Sequence, residues 1–286
     1  PGSGSGCGSG SGLGAVVGLI HSMFGELALK TPDYKRLVGF AKIHLGRWAQ
    51  AVAVAISIIG FFGSLLAYII IGGGFLYQFC APFLGGSETL YGVVYFALGA
   101  LFVYLGIAFI SRFEFWGLVL FFMILLLLAV QGMPLISWEN FTARTGGAAD
   151  IFFPYGPILF AFWATSSIPE IEEMLGRNGG KKMLGKVISA SMATVFFTYL
   201  LFIFFIVGIG GAQTAESALI GLQDALGANV VAILFFLGFI TTFSSFIITG
   251  LSLKKILAYD LKINKNLAWL ITSAVPIALF LSGLRD

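Results

Sequence analysis

The residues best able to do chemistry lie where a long apolar run is interrupted. Residues 152–168 are apolar and lead into Ala164-Thr165-Ser166-Ser167-Ile168-Pro169-Glu170. Proline at 169 removes a backbone donor and disfavours helix at Ile168, so the helix is expected to break near 164–168. Ser167 stands three residues before Glu170, a capping-box spacing that starts a new helix through 169–177. In lipid such a break persists only where protein buries it or it lines a cavity. Free carbonyls from one half and free amides from the other can then meet a ligand. The plainer alternative is an ordinary helix that ends early at an interface.

Three other groups of residues have chemical potential. Thr241-Thr242-Phe243-Ser244-Ser245 sits inside another apolar run. Its hydroxyls can offer hard oxygen ligands to a small cation, or hydrogen-bond to a preceding carbonyl or across helices. Tyr68 can bind a carboxylate through its hydroxyl, or satisfy a polar partner in the core. His21 and Glu26 are ionisable groups in the first apolar run and are candidate proton carriers. Each can equally be a structural partner, Glu26 with Lys30 one turn on. No Lys or Arg falls at the middle of any span.

These residues need helices that cross a bilayer. Of 286 residues, 58% are hydrophobic, 15% aromatic and only 10% charged, against roughly 25% charged in soluble domains. The mean hydropathy is +0.99. A soluble enzyme, a disordered chain and a nucleic-acid binder are excluded, the last because the net charge of +3 is spread in short clusters rather than one stripe. Eight apolar segments, near 13–29, 49–79, 89–110, 115–137, 152–168, 187–211, 229–253 and 267–283, have the length of membrane helices. The expectation is an all-α polytopic membrane protein of about eight transmembrane helices, a single transmembrane domain over 13–286. Residues 1–12 are Gly/Ser-rich and read as a flexible tail. In the second segment Gly60 and Ser64 have the small-xxx-small spacing that lets helices approach closely.

Fourteen of the sixteen Lys and Arg fall in loops on one side of these segments, leaving Arg144 and Arg285 on the other. The positive-inside rule makes the fourteen cytoplasmic. Both chain ends then lie outside, and an odd number of helices is expected to precede the first span. Residues 33–48 read as a basic helix on the membrane surface, with Tyr34, Leu37, Ala41, Leu45 and Trp48 at helical spacing. Residues 214–226 read as a short external helix.

Several segments resemble a known family. They are Phe24-Gly25-Glu26-Leu27-Ala28-Leu29-Lys30-Thr31 followed by Arg36-Leu37-Val38-Gly39-Phe40, then Leu66-Ala67-Tyr68-Ile69-Ile70-Ile71-Gly72-Gly73-Gly74. Pro154-Tyr155-Gly156 leading to Ile168-Pro169-Glu170, Leu253-Lys254-Lys255-Ile256-Leu257-Ala258-Tyr259-Asp260 and Pro276-Ile277-Ala278-Leu279-Phe280-Leu281 follow in order. The chain from about residue 13 to its end resembles prokaryotic amino acid permeases of the tryptophan/tyrosine and amino acid/auxin branch of the amino acid–polyamine–organocation superfamily.

The resemblance implies a LeuT-like fold of two inverted five-helix repeats, with the eight spans as family helices two to nine. Family helix one and helices ten and eleven have no counterpart, so an incomplete chain that does not transport alone is expected. The implied function is secondary transport of amino acids, neutral or aromatic, across the cell inner (plasma) membrane. Carbonyls at 162–164 would bind the substrate amino group, and Thr165, Ser166 and Ser167 would supply hydroxyls and amides. Phe162 and Trp163 would shape the side-chain pocket, and Tyr68 would face the site. Thr241, Thr242, Ser244 and Ser245 would ligate sodium, or His21 and Glu26 would carry a proton. No other cofactor is implied, and the partners are an amino acid substrate and the lipid bilayer. A structural or channel-like subunit of a larger complex is the alternative. A membrane enzyme lacks support, since H-E-x-x-H, G-x-S-x-G and paired carboxylates within a span are missing from the sequence.

Overall fold

The computed structural model describes residues 5–31, 35–141, 155–162, 164–175, 180–211 and 226–283. Every regular element among them is helical. In chain order they are α1 (Ser5–Lys30), α2 (Leu37–Leu45), α3 (Arg47–Leu84), α4 (Glu88–Leu105), α5 (Ile107–Gly132), α6 (Tyr155–Phe162), α7 (Ile168–Leu175), α8 (Gly180–Gly210), α9 (Ala228–Lys255) and α10 (Lys265–Leu281). A π-helical turn, Ile256–Asp260, extends α9. Among the described residues five helices are long and apolar enough to cross a membrane: Arg47–Leu84, Glu88–Leu105, Phe115–Leu135, Met183–Gly210 and Ala228–Asp260. Lys265–Leu281 is apolar but shorter. The stretch expected as a fifth span is split into α6 and α7, eight residues each, and neither half alone reaches the ~17 residues a crossing needs.

The stretch read as one transmembrane domain gathers into two compact units, both discontinuous in sequence. The smaller holds residues 1–35 and 137–212, the larger 36–136 and 213–286.

In the larger unit, helix packing is closest along one side of α3. A Cβ on Gly73 would lie 2.7 Å from the Cα of Gly92 in α4, so two backbones touch there. One on Gly72 would overlap the Tyr95 ring. Tyr95 is wholly buried and makes edge-on contacts with Phe239, Phe243 and Phe246 of α9, centroids 6.0, 5.4 and 5.7 Å away. The close approach therefore falls at Gly72, Gly73 and Gly92. Gly60 and Gly63, on the turns where the small-xxx-small spacing pointed, meet nothing within 4 Å. Spacing alone names a permissive stripe, and the neighbouring helix decides which turn of it is used.

The start of α2 is capped from far away. Asp260, buried in the π-helical turn, accepts the Gly39 amide at 2.9 Å and the Arg36 amide at 3.4 Å. Two amides that helix geometry leaves without internal partners are thus satisfied by one carboxylate. Helix α2 is shorter than the expected 33–48, because Gly46, in the left-handed region at φ 89°, separates it from α3. Val38 and Phe40 are buried, while Leu37, Leu45 and Trp48 of the expected apolar stripe are exposed. Asp33, Tyr34 and residues 214–225 lie outside the described residues.

In the smaller unit, α1 packs against α6, α7 and α8. Its centre is Ile168, Leu184 and Ile188, with Phe24 and Leu29 against them. The Ser137 amide and Asn140 Nδ2 both donate to the Gly208 carbonyl, at 3.0 and 2.7 Å, which closes the end of α8. Helix α1 begins at Ser5, inside the segment expected to be a flexible coil.

Candidate functional site

The irregular backbone sits just before Pro169. Helix α6 ends at Phe162, and Ala164 leaves helical geometry at φ −115°, ψ 21°. Thr165–Ser167 forms a 3-10 turn, tied by the Ser167 amide donating to the Ala164 carbonyl at 2.9 Å. Ile168 is helical, at φ −61° and ψ −48°. Pro169 is therefore accepted as the second residue of α7, where its missing N–H leaves no bond unmade. The break lies two to five residues upstream of the proline, within the expected window. Trp163 lies outside the described residues, as does the side chain of Phe162.

Two buried polar groups surround this turn. His21 of α1, 2% exposed, accepts the Ala164 amide at Nε2, 3.2 Å away. An amide N–H is always a donor, so Nε2 must present its lone pair and the imidazole is neutral. Thr165 is buried, and its Oγ1 has no hydrogen-bond partner among the described residues. A buried hydroxyl in that state costs roughly 1–3 kcal/mol unless a ligand or water meets it. Ser166 and Ser167 are half-buried. Glu170 and Glu172 of α7 are buried.

The remaining expected site residues divide between the units. Glu26 is in the smaller unit, its side chain 72% exposed and 3.6 Å from Lys30, the partner expected one turn on. Tyr68 belongs to the larger unit and packs on the core around Tyr95. Thr241, Thr242 and Ser245, also there, donate to carbonyls of their own helix. Thr241 reaches Leu237 and Gly238 at 3.1 Å each, Thr242 reaches Gly238 at 2.7 Å, and Ser245 reaches Thr241 at 3.0 Å. These bonds use the hydroxyl protons and leave oxygen lone pairs for a cation. Ser244 is half-buried beside them.

Sequence reasoning missed the pairing of His21 with the break. Both residues were singled out separately, but 143 positions separate them and no local pattern joins them. It also missed Asp260 as a helix cap and the isolation of the Thr165 hydroxyl. Among the described residues no three His, Cys, Asp or Glu gather as a metal site. No family model matches the chain, and no curated protein matches it.

Proposed function

We propose that the chain is a secondary active transporter for amino acids, neutral or aromatic, crossing a cell inner (plasma) membrane several times. With that reading goes the LeuT-like arrangement of inverted repeats and eight membrane helices. One observation carries it: an apolar helix interrupted at Ala164 and Thr165–Ser167, with the Thr165 hydroxyl buried and without a hydrogen-bond partner among the described residues. Irregular backbone and an unmet hydroxyl are costly in hydrocarbon unless they serve a ligand. The division into two discontinuous units supports alternating access in kind, since rocking needs two bodies.

Coupling uses a sodium ion or a proton, and the His21 bond favours the proton. A proton and the Ala164 amide compete for the same Nε2 lone pair, so protonating His21 releases the break from α1.

The test is thermal stabilisation of the purified chain by each amino acid in turn. One or a few neutral amino acids should raise the melting temperature. Thr165→Val should raise the ligand-free melting temperature, by removing the unmet hydroxyl, and abolish the shift with ligand. A set of amino acids that all leave the temperature unchanged would overturn the reading.

A further inference from the structure

We propose that a groove at the basic end of the larger unit is a binding site for an anionic phospholipid. The groove has a volume of about 800 Å³ and lies between α4 and α10. Its apolar wall is Leu101, Leu267 and Leu270, each half exposed at 50, 50 and 53%. Its polar end is made by Asn264 and Asn266, on either side of Lys265. Tyr104 also lines it, edge-on to Trp269 with centroids 5.3 Å apart.

The walls are fixed rather than adaptable. Trp269 Nε1 donates to the Ala100 carbonyl at 2.9 Å, which holds the indole in place. Lys254 Nζ donates to the carbonyls of Val103 and Tyr104 at 2.9 and 3.2 Å and lies 5.7 Å over the Tyr104 ring. It thereby closes the last turn of α4, where carbonyls lack helical partners and positive charge is favoured.

Charge decides the occupant. Lys254, Lys262 and Lys265 fall within twelve residues, and Lys262 and Lys265 are exposed with no ion pair among the described residues. The single acid between 250 and 283 is Asp260. It is buried, with its carboxylate turned to the Arg36 and Gly39 amides, and does not face the groove. From Asn266 to Gly283 there is no charged residue. Lys254 lies over Tyr104 and Lys265 stands between the two lining asparagines in sequence, so positive charge flanks a groove lined by amides, aromatics and leucines. A phospholipid offers the matching groups, a phosphate for the lysines and an acyl chain for the leucines, at the face the positive-inside rule makes cytoplasmic. A soluble anion would leave the leucine wall unused, and a zwitterionic lipid would leave the lysines unneutralised. The inference rests on membrane insertion and is independent of what the protein transports.

The test uses the full chain in nanodiscs of phosphatidylcholine, with a small fraction of phosphatidylglycerol carrying brominated acyl chains that quench nearby tryptophan. Brominated phosphatidylglycerol should quench more than brominated phosphatidylcholine at equal fraction, and Trp269→Phe should remove that difference. The double substitution Lys262→Gln and Lys265→Gln, at exposed positions, should weaken the preference about thirtyfold, the effect of two lysines near an anionic surface. Raised salt should weaken it in the same direction. Equal quenching by the two lipids, or a preference untouched by the double substitution, would overturn the proposal.

Discussion

Both units bury polar groups, the larger among them Arg36, Lys255 and Asp260, but their closest contacts are made of different things. The larger closes on glycine and aromatic rings: Gly73 against Gly92 backbone, Tyr95 against Gly72 and three phenylalanines. The smaller buries His21, Thr165, Glu170 and Glu172 around an interrupted helix. Close apolar packing tolerates few alternatives, since a displaced ring loses contacts without gaining others. Polar groups around irregular backbone have alternatives, because a hydrogen bond can be exchanged for a proton, a water or a ligand. The close approach at Gly73 is thus the stiff place, and the interrupted turn at Ala164 the responsive one.

The sharpest way to break that contrast is at Gly73. Gly73→Leu forces side-chain atoms into the backbone of α4, and backbone cannot step aside. The expected loss is about 3 kcal/mol or more, read as a large fall in melting temperature or no folded protein. Gly63→Leu, ten residues earlier in the same helix and facing open space, should leave stability near that of the parent. Equal damage at both positions would remove the close approach as the source of stiffness.

A smaller effect is expected at the responsive turn. His21→Ala leaves the Ala164 amide without its acceptor, and because Ala164 is exposed the loss is about 1 kcal/mol. His21→Gln restores an acceptor oxygen and should recover most of that stability, yet it cannot take up a proton near neutral pH. In a protein extended by the helices that the resemblance implies, proton-driven uptake lost in both variants, with stability recovered only in the second, would sharpen the contrast. Uptake preserved in the Gln variant would show that His21 positions the break and carries no proton.

The smallest effect is expected at the hydroxyl cluster. Thr241→Val deletes a hydroxyl that bonds its own helix, which changes stability by less than about 1 kcal/mol. If these oxygens ligate sodium, the parent should be stabilised by sodium over potassium and the variant should not. The absence of that difference in the parent would assign the cluster to helix packing alone.

Much of this was legible without coordinates. The long apolar helices follow from hydropathy summed over a local window, because the cost of placing each side chain in lipid is nearly independent of its distant neighbours. A break ahead of Pro169 was legible too, but Ile168 is itself helical with the proline in the first turn of α7, and the departure at Ala164 needed the structure.

What local pattern could not decide is which groups meet. Every glycine of α3 reads alike in sequence, yet only the turns facing α4 are closed. The Ala164 amide is held by a histidine 143 residues away, and the Gly39 amide by Asp260 at a separation of 221. Such pairs arise when helices place two unsatisfied groups side by side. No amino acid announces a partner that only the packing of other helices brings within 3 Å. The same holds for the groove between α4 and α10, whose lysines and leucines are ordinary in sequence and become a site only across two helices. Composition and period thus determined that the chain is helical and apolar, whereas the pairing of its few polar groups belonged to the tertiary structure alone.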